Sequence, residues 1–157
     1  MAVEIERKFL VRDDSWREQI ERSIPMRQGY LHRDDRTAIR VRIFGDQAHL
    51  NIKASDDGIH RHEFEYPIPL ADAQALFEQV VRGDVLEKVR HELHFGGHRW
   101  EIDEFLGDNA PLVVAEIELA SADQPFERPP WLGEEVSSDP RYYNANLAAH
   151  PFGRWAD

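Results

Sequence analysis

The chain has 157 residues, of which 41% are apolar and 31% are charged, and its formal net charge is −11. This size and apolar content suit one domain over residues 1–157 with one hydrophobic core. The acidic balance argues against non-specific binding to nucleic acid or anionic membranes, although a local basic cluster or bound divalent cations can still attract a small polyanion. The absence of cysteine excludes disulfides and thiolate metal sites.

The sequence shows neither the pattern of a membrane span nor that of a signal peptide. No apolar run approaches the roughly 18 residues of a membrane span, and the charged opening MAVEIERKFL lacks the apolar core of a signal peptide. We therefore expect a cytoplasmic protein without membrane or nucleic-acid partners. The sequence leaves the oligomeric state open, with a homodimer as one alternative.

Alternating apolar and polar residues, the pattern of half-buried strands, recur along the chain. Gly45-Asp46 and Gly96-Gly97 suit tight hairpin turns, so neighbouring strands are expected to be antiparallel and to pair largely in sequence order. The pattern predicts about eight strands, near residues 2–11, 26–33, 36–45, 47–54, 60–68, 85–95, 98–105 and 112–120.

Helical segments are fewer than strands. The sequence predicts a short helix at Ser15–Arg22, a clearer one at Leu70–Val81 and a last one around Tyr143–Ala149. Pro125 and the Pro129-Pro130 pair predict a rigid, irregular connection over residues 121–140, because proline restricts the backbone and lacks an N–H donor.

Most predicted strands carry charged residues at positions i and i+2, which point to the same face about 6.6 Å apart. The opposite faces of these strands are apolar. The charged sets are Glu4, Glu6 and Lys8; Arg40 and Arg42; Lys53 alone; Glu63 and Glu65; Lys88 and Arg90; Glu101 and Asp103; and Glu116 and Glu118.

Two architectures accommodate these sets. A β-sandwich would leave its polar face solvated, but such faces usually mix Thr, Ser, Gln and Lys. Repeated like charges repel unless opposite charges, metals or a charged ligand lie between them. We therefore favour an α+β fold in which a closed eight-stranded antiparallel barrel holds the charges in its lumen and a few helices flank it. The helix near residues 142–149 is expected either to cover the barrel or to plug one end of the tunnel.

Such a lumen would hold six cations and eight carboxylates, a balance of −2 before any metal binds. Carboxylate ligands without histidine or thiolate prefer hard cations, which indicates Mg²⁺ or Mn²⁺. Two such ions would make the lumen +2, and a positive lumen favours a linear polyphosphate.

The segment Glu4-Ile5-Glu6-Arg7-Lys8 matches the ExExK motif of the CYTH, or triphosphate tunnel metalloenzyme, superfamily, which the chain resembles over nearly its whole length. The stretches EIERKFLV, MRQGYL and PPWLGEEV resemble the small bacterial inorganic triphosphatases of that superfamily. Further motifs follow in the expected order: Arg40-Val41-Arg42, Lys53, Glu63-Phe64-Glu65, Glu87-Lys88-Val89-Arg90, Glu101-Ile102-Asp103 and Glu116-Ile117-Glu118.

This resemblance implies metal-dependent hydrolysis of the terminal phosphate of tripolyphosphate, and of nucleoside triphosphates as further substrates, inside a tunnel that holds two ions. The implied phosphate ligands are Lys8, Arg40, Arg42, Lys53, Lys88 and Arg90. The implied leading metal ligands are Glu4, Glu6, Glu116 and Glu118, while Glu63, Glu65, Glu101 and Asp103 complete the metal shell or orient the cations. The candidates for direct participation in catalysis are Lys88, Glu6 and Tyr30, with Tyr30 either reaching the lumen or packing in the core.

Two other functions fit the same residues. A class IV adenylate cyclase shares the fold and the ExExK motif but acts at the α-phosphorus of ATP. No sequence element clearly builds an adenine pocket, so tripolyphosphate is favoured as the substrate. A module that binds polyphosphate without turnover would not need so many metal ligands. The sequence does not decide which metal ion is preferred. It also does not decide whether the physiological substrate is tripolyphosphate, a nucleoside triphosphate or thiamine triphosphate.

Overall fold

The computed structural model describes residues 2–55, 59–81, 83 and 85–155. The strands of this part of the chain are β1 (Ala2–Val11), β2 (Arg22–Arg33), β3 (Thr37–Phe44), β4 (Gln47–Ser55), β5 (His60–Pro67), β6 (Val85–Phe95), β7 (His98–Phe105), β8 (Val113–Leu119) and β9 (Leu132–Glu135). The helices are α1 (Leu70–Gln79) and α2 (Asn144–Ala149), with 3₁₀ turns at Ser15–Gln19, Gly107–Asn109, Pro140–Tyr142 and Phe152–Arg154. Among these described residues, no helix has the length and apolar character needed to cross a membrane.

The strands form one antiparallel sheet that closes into a barrel. Strands β2 to β5 pair in sequence order, as do β6 to β8, and pairing between β2 and β6 joins the two meanders. Strand β1 lies between β8 and β5, and its pairs from Ala2↔Glu63 to Ile5↔His60 close the ring. The predicted closed eight-stranded antiparallel barrel with few helices is therefore confirmed.

A ninth strand corrects the prediction of an irregular connection over residues 121–140. Strand β9 pairs with β1 at Phe9↔Glu135 and Val11↔Leu132. Strand β5 pairs only with the first half of β1, so the second half would otherwise leave backbone groups without partners on that side. Satisfying those groups explains why a strand forms soon after two prolines.

The second strand also departs from the prediction. It begins at Arg22, and the preceding element is a 3₁₀ turn over Ser15–Gln19, not a helix that reaches Arg22. Pro25 lies inside β2, opposite Val89 of β6. Pairing of β2 with β3 starts only at Met26. Because one side of the strand is unpaired at Pro25, the missing N–H interrupts no ladder there.

Two apolar clusters cover the outer faces of the barrel. One surrounds Trp16, Trp100 and Trp131, which are each 0% exposed. The other lies under α1, where Ala73 packs near Val41 of β3. Burying the outer faces in this way leaves the inner faces to the charged residues, because side chains alternate along each strand.

A third apolar cluster lies at one end of the barrel. Leu86, Phe105 and Val114 pack there against Tyr142 and Leu147 of the C-terminal segment. Each of these three strand residues lies two positions from a charged residue of the predicted lumen set, so alternation places it on the inner face. Helix α2 therefore packs over inward-facing residues.

Candidate active site in the barrel lumen

A cavity of about 790 Å³ occupies the lumen. All eight strands of the closed ring contribute side chains to its wall. With the exception of Asp103, every predicted site residue lines it: Glu4, Glu6, Lys8, Tyr30, Arg40, Arg42, Lys53, Glu63, Glu65, Lys88, Arg90, Glu101, Glu116 and Glu118.

Opposite charges on neighbouring strands face one another across the ladder. Lys8 lies opposite Glu116, with 3.6 Å between Nζ and Oε1. Lys53 lies opposite Glu63, with 3.5 Å between Nζ and Oε1. Attraction at such pairs offsets part of the repulsion between like charges along each strand, whereas Glu6 lies opposite Glu118 and Glu101 lies opposite Glu116.

Arg61 is a lumen residue outside the predicted set. It lines the cavity, and its guanidinium lies 3.2 Å from Glu6 Oε1. Burial alone would raise the pKa of Glu6, but Arg61 and Lys8 are among the cations that lower it to about 2. The i, i+2 rule places Arg61 on the same face as Glu63, so the sequence did contain the signal for it.

Asp103 lies behind the cavity wall and holds two cations. Its Oδ2 accepts a hydrogen bond from Lys88 Nζ at 2.7 Å, and its Oδ1 accepts one from Arg90 Nε at 2.8 Å. Burial opposes ionisation, yet Arg90 and Lys88 hold the pKa of Asp103 well below its usual range. With both oxygens engaged, Asp103 is arranged to orient these two cations.

Lys88 and Lys8 are the most buried cations of the site. Lys88 is 1% exposed and Lys8 is 2% exposed. Burial lowers the pKa of Lys88 to about 7; Asp103 opposes this shift and Arg90 adds to it. A further partner comes from α2, where Asn144 Oδ1 accepts a hydrogen bond from Lys88 Nζ at 2.8 Å. Asn144 is absent from the predicted set, because only the folded C-terminal segment brings it to the lumen.

Tyr30 satisfies both predicted alternatives, since it is 6% exposed and also lines the cavity. Its hydroxyl accepts a hydrogen bond from Gln28 Nε2 at 3.5 Å, and it lies opposite Arg40 in the ladder between β2 and β3. Arg42 is the next inward residue of β3. Burial, with the neighbouring Arg40 and Arg90, lowers the pKa of the Arg42 guanidinium to about 10.

Known proteins with similar sequences and structures have functions that suit a charged barrel lumen. Residues 2–150 match the CYTH domain. The chain belongs to the CYTH domain family. An inorganic triphosphatase of Acetivibrio thermocellus is 43% identical to it over 152 residues, which make up 97% of each chain. An inorganic triphosphatase of Nitrosomonas europaea is 38% identical over 149 residues, covering 92% of this chain and 96% of that one. A solved inorganic triphosphatase structure is 36% identical with a TM-score of 0.68, covering 94% of this chain and 95% of the other.

Membership of the CYTH family implies metal dependence, and the lumen offers oxygen ligands of the kind that hard cations prefer. Glu4 Oε2 is buried without a hydrogen-bond partner among the described residues and lies 3.7 Å from Lys53 Nζ. Burial, followed by a hydrogen bond to Glu63, raises the pKa of Glu4 to about 8. A carboxyl group that keeps its proton beside a second carboxylate offers a site where a divalent cation can replace that proton.

The carboxylates of this CYTH protein are not gathered around a single point. Within the described ranges, no group of three histidine, cysteine, aspartate or glutamate side chains has the arrangement of a metal site. Most of them lie beside a cation instead: Glu101, for example, lies 3.2 Å from Arg90. Glu65 and Glu118 are the exposed members of the set at the cavity wall. The donor chemistry therefore fits a hard cation, and binding one requires carboxylates to turn away from their present partners.

Proposed function

We propose that this protein hydrolyses the terminal phosphoanhydride bond of inorganic tripolyphosphate in the barrel lumen, which yields orthophosphate and pyrophosphate. The observation that carries the proposal is a set of seven Lys and Arg side chains, contributed by five strands, that line one cavity. These cations are Lys8, Arg40, Arg42, Lys53, Arg61, Lys88 and Arg90. The inorganic triphosphatases that share 38% to 43% identity with nearly the whole chain support the same substrate.

The cations bind and orient the phosphate chain in this proposal. Water attacks the terminal phosphorus in line with the bond to the bridging oxygen and gives up a proton to solvent or to a phosphate oxygen, and pyrophosphate leaves with the electron pair of the broken bond. Such a reaction depends mainly on positioning and on stabilisation of negative charge, and the fixed ammonium and guanidinium groups supply both. Asp103 holds Lys88 and Arg90 in place.

Three residues are proposed to take part directly. Lys88, buried and with a pKa near neutrality, contacts a phosphate oxygen that gains charge. Glu6 stays ionised at pH 7 and is held by Arg61 at 3.2 Å. Tyr30 lines the cavity and lies opposite Arg40 in the ladder between β2 and β3, and its proposed role is to position water or a phosphate oxygen through its hydroxyl.

The divalent cations are proposed to be Mg²⁺ or Mn²⁺, with two ions in the lumen. The leading ligands are Glu4, Glu6, Glu116 and Glu118, and the residues that complete the set are Glu63, Glu65 and Glu101. The chemistry that such cations supply is charge neutralisation at phosphate oxygens. Asp103 orients cations in this assignment, since its two oxygens are already occupied.

One end of the lumen is proposed to be closed by α2. The support is the packing of Leu147 and Tyr142 against inward-facing Leu86, Phe105 and Val114. Substrate would then enter from the opposite end of the barrel.

The main alternative is a nucleotide substrate, as in a cyclase. Stacking of a nucleobase needs an open aromatic or apolar surface, and the aromatic side chains that line the described part of the cavity are Tyr30 and Tyr143. Tyr143 already lies against Lys8 and Arg61. Inorganic tripolyphosphate is therefore favoured, although a cavity of about 790 Å³ has room for a larger ligand.

A substrate panel tests the proposal. Tripolyphosphate, pyrophosphate, ATP and thiamine triphosphate are each incubated with the protein and with Mg²⁺ or Mn²⁺, and the products are resolved by phosphorus NMR. We expect orthophosphate and pyrophosphate from tripolyphosphate, and no turnover in excess EDTA. Cyclic AMP as the main product from ATP would establish the cyclase alternative, and tight binding without any turnover would establish a binding module.

A further inference from the structure

The start of α2 contacts cations from three different strands. The ring of Tyr143 lies 5.4 Å from Lys8 Nζ on β1 and 5.8 Å from the guanidinium of Arg61 on β5. The side chain of Asn144 accepts a hydrogen bond from Lys88 on β6 at 2.8 Å. Two adjacent residues of the C-terminal segment therefore join separate walls of the lumen.

The contact with Lys88 has a geometric consequence. An ammonium group has three N–H donors. Asp103 Oδ2 accepts one at 2.7 Å, and Asn144 Oδ1 accepts a second at 2.8 Å. Two fixed acceptors set the direction of the third donor, because the group is tetrahedral. Since Lys88 also lines the cavity, the third donor is left for a ligand bound there.

The chemistry of the partner matters as much as its position. An ammonium cannot accept a hydrogen bond, so Asn144 must face it with its carbonyl oxygen. Asp103 already places one negative charge beside Lys88. A neutral second acceptor holds the ammonium in place without cancelling more of its attraction for phosphate.

We propose that Asn144 is a positioning residue for tripolyphosphate, which fixes the Lys88 ammonium so that its remaining N–H meets a phosphate oxygen. The inference rests on the proposed function, because it requires phosphate in the lumen. Asn144 acts through Lys88. In this proposal α2 therefore packs against the barrel and also supplies a residue that orients a phosphate-binding cation.

A double-mutant cycle tests this inference on the full chain, with the Kd of tripolyphosphate measured by calorimetry in excess EDTA to prevent turnover. Asn144→Leu removes the acceptor at similar volume and is expected to weaken binding about tenfold. Lys88→Met removes the ammonium, and in that background Asn144→Leu is expected to change Kd less than about twofold. This loss of effect distinguishes positioning of Lys88 from a general structural role.

Asn109→Ala provides the structural control. Asn109 Nδ2 donates to Leu147 O at 3.3 Å, and Asn109 Oδ1 accepts from Phe152 N at 2.9 Å, so it anchors α2 away from the lumen. We expect this variant to lower the melting temperature and leave Kd within about twofold of wild type. A loss of binding equal to that of Asn144→Leu would mean that loosening α2 is sufficient, and would overturn the proposal.

Two further results would also overturn it: an unchanged Kd for Asn144→Leu when Lys88 is present, or equal losses with and without Lys88. Asn144→Ala replaces Asn144→Leu in the cycle if the leucine variant does not fold, with the same expectations. Failure of the wild-type protein to bind or hydrolyse tripolyphosphate in the presence of Mg²⁺ or Mn²⁺ would instead reject the proposed function, so the two failures are distinguishable.

Discussion

Glu116 and Arg42 lie in the same lumen but have different proposed partners, a metal ion and a phosphate. Glu116→Gln keeps the volume and one acceptor but loses the charge that holds a hard cation. We expect about tenfold lower kcat, partly recovered at high metal concentration. Arg42→Ala removes a phosphate donor and should raise KM about tenfold with little rescue by metal.

Steady-state kinetics over a matrix of metal and tripolyphosphate concentrations separate the two effects. Glu116 lies 3.6 Å from Lys8, and Arg42 lies 3.8 Å from Glu65. Wild-type kinetics for both variants at limiting metal and limiting substrate would remove both residues from the site.

The raised pKa of Glu4, which lies beside Glu63, predicts a pH dependence of metal binding. Burial and the hydrogen bond to Glu63 raise the pKa of Glu4 to about 8, whereas Glu63 has its pKa lowered to about 2. A cation binds the carboxylate and not the acid, so binding below pH 8 releases a proton. The affinity for Mg²⁺ or Mn²⁺ should therefore rise about tenfold per pH unit from about pH 6 to about pH 8 and then level off.

Calorimetric metal titrations in buffers with different heats of ionisation measure both the affinity and the released proton. Glu4→Gln is the matched control, since it cannot carry this proton as an acid and should lose the steep dependence. A wild-type affinity that stays constant across the same pH range contradicts the release of a proton from Glu4 on metal binding.

Individual lumen residues differ in how far the sequence predicts them. Arg61 follows from the two-residue period of a strand, because it shares a face with Glu63. The interpretation of Asp103 depends on distances: only the structure shows that its oxygens are taken by Lys88 and Arg90. Asn144 has no sequence signal of this kind, since its place in the site depends on how the C-terminal segment packs.

At the scale of elements, α1 approaches the barrel closely over Gly29 of β2. A Cβ at this position would lie 2.7 Å from Phe77 and 2.9 Å from Val81. Gly29→Ala should therefore lower the free energy of unfolding by about 1–3 kcal/mol through overpacking. Urea unfolding measures the change, and adding Phe77→Leu should recover part of it by opening space. A urea midpoint of Gly29→Ala equal to that of wild type would show that α1 shifts to make room without loss of unfolding free energy.

The sequence predicts those elements in which charged and apolar residues alternate regularly. It does not predict elements that form only because a distant strand is available for pairing. The alternation of charged and apolar residues gives the strands of the ring, and their inner and outer faces, directly. Strand β9 forms because the second half of β1 has an open side. The early start of β2 at Arg22 depends on its pairing with Glu92 of β6. Neither condition is visible in the local sequence.

At the scale of the whole molecule, a chain with a net charge of −11 encloses a concentrated set of positive groups. The described cavity wall carries nine Lys and Arg side chains and nine Asp and Glu side chains, and Asp103 behind the wall makes the formal balance −1. The raised pKa of Glu4 adds positive charge to this balance at pH 7, and the lowered pKa of Lys88 removes part of it. The global charge therefore does not oppose a polyphosphate, because the local balance is set by metal and protons.

This balance predicts that polyphosphate stabilises the fold. Burial disfavours the charged forms of Lys8 and Lys88, and the pKa values of both are lowered, so an anion placed between the cations relieves an unfavourable interaction. At 100 times its Kd, a ligand selective for the native state adds about 2.7 kcal/mol. For a domain of this size, that corresponds to a rise in melting temperature of roughly 5 to 10 °C.

Differential scanning calorimetry with saturating tripolyphosphate and Mg²⁺ measures this rise, and sulfate at equal ionic strength controls for general salt effects. Arg42→Ala should reduce the shift at a fixed ligand concentration, since weaker binding gives less stabilisation by mass action. An exterior site would leave the shift of this variant equal to that of wild type. No rise at all with the wild-type protein would mean that the lumen cations do not hold the phosphate chain.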